Sequence, residues 1–402
     1  MLIPISLSAE KTTQFLEYFN LAIRRGDFEG SSGSYLPDGS VTETVRCALT
    51  VPPDIKVPAA WTITLAPDGA LAPLDVNVDT PAPVGGQHAA EGVVRDVLVS
   101  VLESPKTKIL HREEFAYIGQ PLDGEYYITN FRISPSQPVF NDPFCLSENI
   151  LLIDHYAEAV GVLQAHAIGR VQAQKFASLL SVFLNVGLHK IPTTEHRWVY
   201  DAEDSSNCFQ LGYRSTIPKP ASMPHKGTEC NPGKAFEVNR DEMEDVLPRP
   251  VEFLRCPKDI RVLFRAYNSL PPNEQVAYLG AAALFQIALT AGRNYPTVEM
   301  AYSVAAVDAL ARGKQQSLKT FVQLVKDCCP NVRSEDAEYL YQSVRSAHFH
   351  GGSFPGGEFE PVSLGQLLVV QKDVWKRHNL RWYARALMRF VLIRWLLKQA
   401  QN

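Results

Sequence analysis

The sequence predicts an α+β chain of two domains, a mainly β N-terminal domain with added helices followed by an all-α helical bundle. Three observations predict it. At 402 residues and 46% hydrophobic content, the chain is long enough to bury two cores. Between about residues 40 and 134 it offers short runs rich in Val, Ile, Thr, Tyr and Phe, whereas from Pro257 onward every segment carries apolar residues at helical spacing. Charge divides in the same place: the part from Pro257 holds 18 of the 39 Lys and Arg but 11 of the 43 Asp and Glu, about +7 against about -11 for the rest. The boundary is placed near residue 250, giving domains 1–250 and 251–402.

The elements follow in order. Phe15, Leu16, Phe19, Ala22 and Ile23 recur at helical spacing before Gly26, which predicts an amphipathic helix over 10–25. VTETVRCALTV, WTITLAP, VVRDVLVSVL and EYYITNFRI read as strands of a mainly antiparallel region, separated by Pro, Gly and Asp clusters. A long helix is expected from about His155 to Leu188, with Gly187 near its end, and EHRWVY and CFQLGYR are further strands. The Pro-rich, charged stretch from Ser222 to Pro250 is a linker or exposed loop. Helices then span Asp259–Asn268, Asn273–Ala291, Thr297–Arg312, Ser317–Asp327, Ser334–His350 and Asp373–Gln399, with Pro or Gly marking most gaps.

The helix from Ser334 has clear ends: Ser334 as N-cap, Glu335 and Asp336 in the first turn, and Gly351-Gly352 as the stop. Ala337, Leu340, Tyr341, Val344 and Ala347 form its apolar stripe, with His348 on the same face. Around an ideal α-helix Arg345 lies about 60° from His348 and about 140° from His350. A helix that loosens in its last turn relaxes that difference.

The segment YLYQSVRSAHFHGG, read as Arg345-x4-His350-Gly351, resembles the signature of the Apea-like branch of the HEPN ribonuclease superfamily. The preceding helix, MAYSVAAVDALA, carries Asp308 where that family often has Glu, and Ser346 follows Arg345 where many members have Asn. The resemblance covers about 257 to the end. It implies a HEPN-like helical bundle in which Arg345 and His350 are the catalytic pair, with His348 and Asp308 as further site residues. It also implies a metal-independent endoribonuclease without a cofactor, acting as a homodimer with a composite site. RNA is then the substrate, with tRNA the first to test, and the setting is a toxin-like or phage-defence effector whose N-terminal domain senses an unknown trigger. The alternative is a non-catalytic dimerisation, RNA-binding or interaction protein.

The residue types suit that chemistry. His titrates near neutrality and can take a 2′-hydroxyl proton; Arg is a permanent forked cation for the charge that develops on phosphate. Asp308, inside an apolar helix face, needs a partner if buried, and Arg345 is one it could orient. Arg377, Arg381, Arg385 and Arg389 repeat every four residues, interleaved with Trp375, Trp382, Tyr383, Phe390 and Trp395. One reading is a phosphate-tracking ridge for RNA; the other is a basic face behind a helix whose aromatics pack in the core.

Other classes lack their signatures. GxxxxGK[ST], GxSxG, HExxH and a post-strand GxGxxG are absent. Seven cysteines without a secretory leader favour reduced thiols, and the spacing of Cys208, His225 and Cys230 matches no zinc arrangement. His88, His111, His155 and His166 belong to no motif. The N-terminus has no leader-like pattern, and FVLIRWLL is interrupted by Arg394 and too short to span a bilayer, so a cytoplasmic protein with no membrane contact is expected.

Overall fold

The computed structural model describes residues 2–3, 7–24, 27–51, 55–71, 74–78, 85–103, 106–128, 130–136, 148–159, 161–190, 196–200, 208–212, 222–223, 253–311, 317–359 and 372–400. The chain forms two compact units, one of residues 1–111 and 156–168 and the other of 112–155 and 169–402.

In the first unit, β1 (Leu2–Ile3), β2 (Asp27–Tyr35), β3 (Val41–Val51), β4 (Ile55–Leu65) and β5 (Leu74–Val78) form one antiparallel sheet in the order β1-β5-β4-β3-β2. Its hairpins turn on a repeated Pro-Asp-Gly. The Asp38 and Asp68 carboxylates accept from the backbone N–H two residues on, both at 2.9 Å, and Gly39 and Gly69 take φ of +85° and +82°, which a β-carbon would strain. Period-two alternation sends Val45 and Cys47 of β3, and Ala59, Trp61 and Ile63 of β4, to one face. There they meet Phe15 and Phe19 of α1 (Ala9–Arg24) and α2 (Gly85–Glu103) in one core, where Trp61 meets Phe19 edge-on at 4.9 Å.

The run VVRDVLVSVL, expected as a strand, lies in α2. Its valines favour a strand, but Ala90, Val94, Val97 and Val101 are the buried positions, and steps of four, three and four are a helix's period.

A second sheet, ordered β6-β9-β8-β7, is made of β6 (Thr107–Ile118), β7 (Tyr126–Ile128), β8 (Phe131–Pro135) and β9 (Glu148–Ala159), and the second unit holds β7, β8 and the larger part of β6 and β9. The helix predicted from His155 therefore begins later, as α3 (Val162–Leu184), and His155 is a buried strand residue. On this sheet the buried Asp154 carboxylate holds Arg112 at 2.6 Å and Arg132 at 2.5 Å. β10 (His196–Tyr200) and β11 (Cys208–Gly212) pair as an antiparallel hairpin, as EHRWVY and CFQLGYR suggest. The side chains of Cys208, His225 and Cys230, that of His88, and nearly all of the 222–250 stretch lie outside the described residues.

The helices are α4 (Ile260–Ser269), α5 (Pro272–Ala291), α6 (Pro296–Leu310), α7 (Leu318–Cys328), α8 (Ser334–Tyr339), a π-helical segment π1 (Leu340–Ser346), α9 (Ala347–Gly351) and α10 (Lys372–Gln399). Ser317 caps α7, but Arg333 rather than Ser334 stands at the N-cap of α8, without a side-chain cap bond; it pairs with Asp336 at 2.8 Å instead.

One continuous core runs from Phe115 to Leu396, so the division at residue 250 read from composition is not where the packing divides. The reason lies in α3. Its apolar face finds its cover further along the chain, with Phe183 on Phe264 at 5.2 Å and Ser178 donating to Gln286 at 2.8 Å. Ten residues of α6 are buried, among them Glu299, Ser303 and Asp308, so α6 is the central helix and its polar groups must be satisfied inside the bundle. No helix among the described residues is long and apolar enough to cross a membrane.

Candidate active site

α6 organises the site. Its two buried acids are nine residues apart, which places them about 180° apart around the helix. They therefore serve different neighbours. Asp308 is fully buried and accepts from Arg345 Nη2 at 3.0 Å, joining α6 to the π1 segment. Glu299 faces α10, taking Arg381 at 2.5 Å and Arg385 at 3.4 Å.

The Arg345 guanidinium lies over the Tyr341 ring at 5.2 Å and near the Phe349 ring at 5.8 Å, and its side chain keeps 16% of its exposure. Charge, orientation and an open edge are thus combined in one group. It sits in the wide π turn, which ends where the Ala347 N–H returns to the Gln342 carbonyl, five residues back. Isolated π turns are frequent at functional sites. The α-helical wheel that brought His348 nearest Arg345 does not hold across this turn.

Beyond the turn, His348 and His350 flank Phe349, whose ring is 42% exposed. His348 Nδ1 lies 3.1 Å from the Ser353 carbonyl, which can only accept; a proton therefore sits on Nδ1, and Nε2 is the nitrogen left to exchange one with a ligand. His350 is exposed and makes no hydrogen bond to a described residue. Gly352, with φ +60°, ends the helix and turns the chain back.

The following loop is strapped down. The Glu358 carboxylate accepts from the Thr297 backbone N–H and, at 2.8 Å, from its hydroxyl, while Gly356 N–H donates to that hydroxyl at 2.7 Å. Glu358 thereby caps the N-terminus of α6 and holds Phe354 beside His348, with rings 5.2 Å apart. Glu358→Ala is expected to cost about 1 kcal/mol, as loss of a cap does, and to raise amide exchange selectively over 352–359, measured by hydrogen exchange. Unchanged exchange there would show that the strap does not hold the loop.

The arginine ridge is corrected by its partners. Besides pairing with Glu299, Arg381 donates to the Gly292 carbonyl at 2.9 Å, at the end of α5. Arg389 donates to Val182 and Phe183 carbonyls at 2.7 Å, in the last turn of α3, and Arg394 to Cys328 at 2.9 Å, at the end of α7. Burial pulls the Arg385 guanidinium below its ordinary range, with Glu299 opposing that shift. Three helix C-termini thus receive a cation from α10, where carbonyls lack intrahelical donors and the dipole is negative. The ridge faces inward at these positions because α10 closes the bundle; the side chain of Arg377 lies outside the described residues.

Glu299 and Glu358 escape a sequence reading. An acid within an all-round apolar helix was the usable signal for Glu299, as it was for Asp308; nothing local marks Glu358, whose partner is 61 residues away. A cleft of about 610 Å³ at the opposite end of the Ser334–Gly351 stretch is lined by Cys329, Arg333, Asp336, Tyr383 and Arg394 and contains none of the expected catalytic residues. Burial pushes the Cys328 and Cys329 thiols up to about 11. No group of three or more metal-ligating side chains that could hold an ion occurs among the described residues. Comparison with protein-family models, with curated proteins and with solved structures finds no match to this chain.

Proposed function

We propose that this chain is a metal-independent endoribonuclease whose helical unit is a HEPN-like bundle. The observation that carries the reading is Arg345 held by the fully buried Asp308 in a π turn, with the half-buried His348 and the exposed His350 following in the next turn. In the proposed reaction His350 takes the proton of an RNA 2′-hydroxyl and the freed oxygen attacks the adjacent phosphorus. The bond to the 5′-oxygen of the next nucleotide breaks, leaving a 2′,3′-cyclic phosphate and a 5′-hydroxyl. His348 enters the step as the imidazolium and gives its Nε2 proton to the leaving oxygen, so that one histidine gains the proton the other loses, and Arg345 balances charge on the phosphoryl oxygens. The nucleophile belongs to the RNA, so the step asks nothing of a metal. The protein would act as a homodimer with a face from each protomer, as a toxin-like effector in phage defence. Its acidic N-terminal part would sense the trigger, and tRNA is the first substrate to test.

One observation favours a second reading, a non-catalytic dimerisation or RNA-binding bundle: Arg345 is already bonded to Asp308 and flanked by two rings, as an interhelix clamp would be. Arg345→Lys separates the two. It keeps a cation opposite Asp308 and so keeps the fold, but loses the fork. Cleavage of total RNA in EDTA is expected to leave cyclic phosphate ends and to slow about a hundredfold in the variant. Equal cleavage by both would remove Arg345 from the chemistry, and RNA left intact without His350-dependent toxicity on expression would favour the clamp.

A further inference from the structure

We infer that the aromatic cluster around His348 is a stacking platform for unpaired bases of single-stranded RNA, an inference that rests on the ribonuclease reading above. Phe349, Phe354, Phe359 and Tyr295 are 42%, 36%, 66% and 45% exposed. They are not scattered. Phe354 meets Phe359 at 4.7 Å with planes 83° apart, Phe359 meets Tyr295 at 6.4 Å, and the His348 ring lies 5.2 Å from Phe354 and 5.3 Å from Phe349. A perpendicular contact uses the edge of one ring, so open ring area remains on a surface shared with His348.

Such a grouping of exposed rings is rare on a monomer unless something covers it. Its setting identifies the occupant. The cluster is continuous with Arg345, through Phe349, and with His348, which suits a polyanion carrying flat apolar faces better than an apolar protein segment. The rings are also held in place before any ligand arrives, by the Gly352 turn and by Glu358 on the N-terminus of α6. Duplex RNA keeps its base faces inside its own stack and cannot use such a platform. The α10 arginines Arg381, Arg385 and Arg389 are engaged internally and cannot track a backbone, so stacking has to supply much of the affinity and its salt dependence is shallow.

The test uses the full chain and a fluorescein-labelled 2′-O-methyl RNA, single-stranded or as a duplex. This probe lacks the attacking hydroxyl, so binding is read apart from cleavage. The single strand is expected to bind at least about tenfold tighter than the duplex, Phe354→Leu and Phe359→Leu each to weaken it about tenfold, and Phe359→Trp to keep wild-type affinity. Leu variants that bind like wild type overturn the platform. So do Leu variants that change the sedimentation coefficient while binding RNA normally, since the face is then an interface between copies. Cleavage of ordinary RNA by wild type and His350→Ala, followed in parallel, reports on the ribonuclease reading independently.

Discussion

Glu299→Ala is expected to destabilise the helical unit by about 3–5 kcal/mol, the range for removing one partner of a buried ion pair. Glu299 is 1% exposed and answers two guanidiniums at once. Without it, Arg381 and Arg385 face each other inside the bundle with no neutralising charge, and burial already disfavours the charged form of Arg385. Arg381 also bonds the last turn of α5, so its displacement uncovers the Gly292 carbonyl. Urea denaturation, followed by the fluorescence of Trp382 and Trp395 on α10, measures the loss. Glu299→Gln keeps an acceptor of the same shape and is expected to fall between wild type and Glu299→Ala. A Glu299→Ala chain as stable as wild type would mean that water replaces the carboxylate and that the pair adds little.

His350→Ala is expected to lower RNA cleavage by about 10²–10⁴-fold, the contribution of a positioned proton-transfer group, while leaving the unfolding curve unchanged. The ring is exposed and makes no hydrogen bond to a described residue, so its removal opens no cavity and strands no donor. That combination separates chemistry from folding, which alanine at Arg345 cannot do, because it would leave the buried Asp308 without its guanidinium. His348→Ala tests the second proton transfer. Since Ser353 orients its ring through Nδ1–H, its loss is expected to lower the rate while substrate cleavage still leaves cyclic phosphate ends. Wild-type cleavage by His350→Ala would leave His350 no part in the reaction.

Local spacing made most of the helical unit legible. The helices from Asp259 onward fall within one or two residues of their expected bounds, because apolar periodicity, capping Ser317 and the Gly351-Gly352 stop are all local signals. The same rule failed at VVRDVLVSVL, where valine content was weighed above spacing. It failed again at His155, where two buried segments of different type adjoin with only Val160 and Gly161 between them and that glycine was not weighed as a break.

The site divides similarly. Arg345, His348, His350 and Asp308 could be singled out from the sequence because their residue types and positions on two helices stand out against an apolar background. Only the tertiary structure decided what each one touches. A π turn replaced the α-helical wheel, Glu299 and three helix C-termini engaged the arginines of α10, and Glu358 reached the end of α6 across 61 residues. Helix periods are set by contacts three to five residues apart, which a sequence displays directly. Partners of buried charges are set by which helix ends meet in the closed bundle, and that depends on packing the whole core at once.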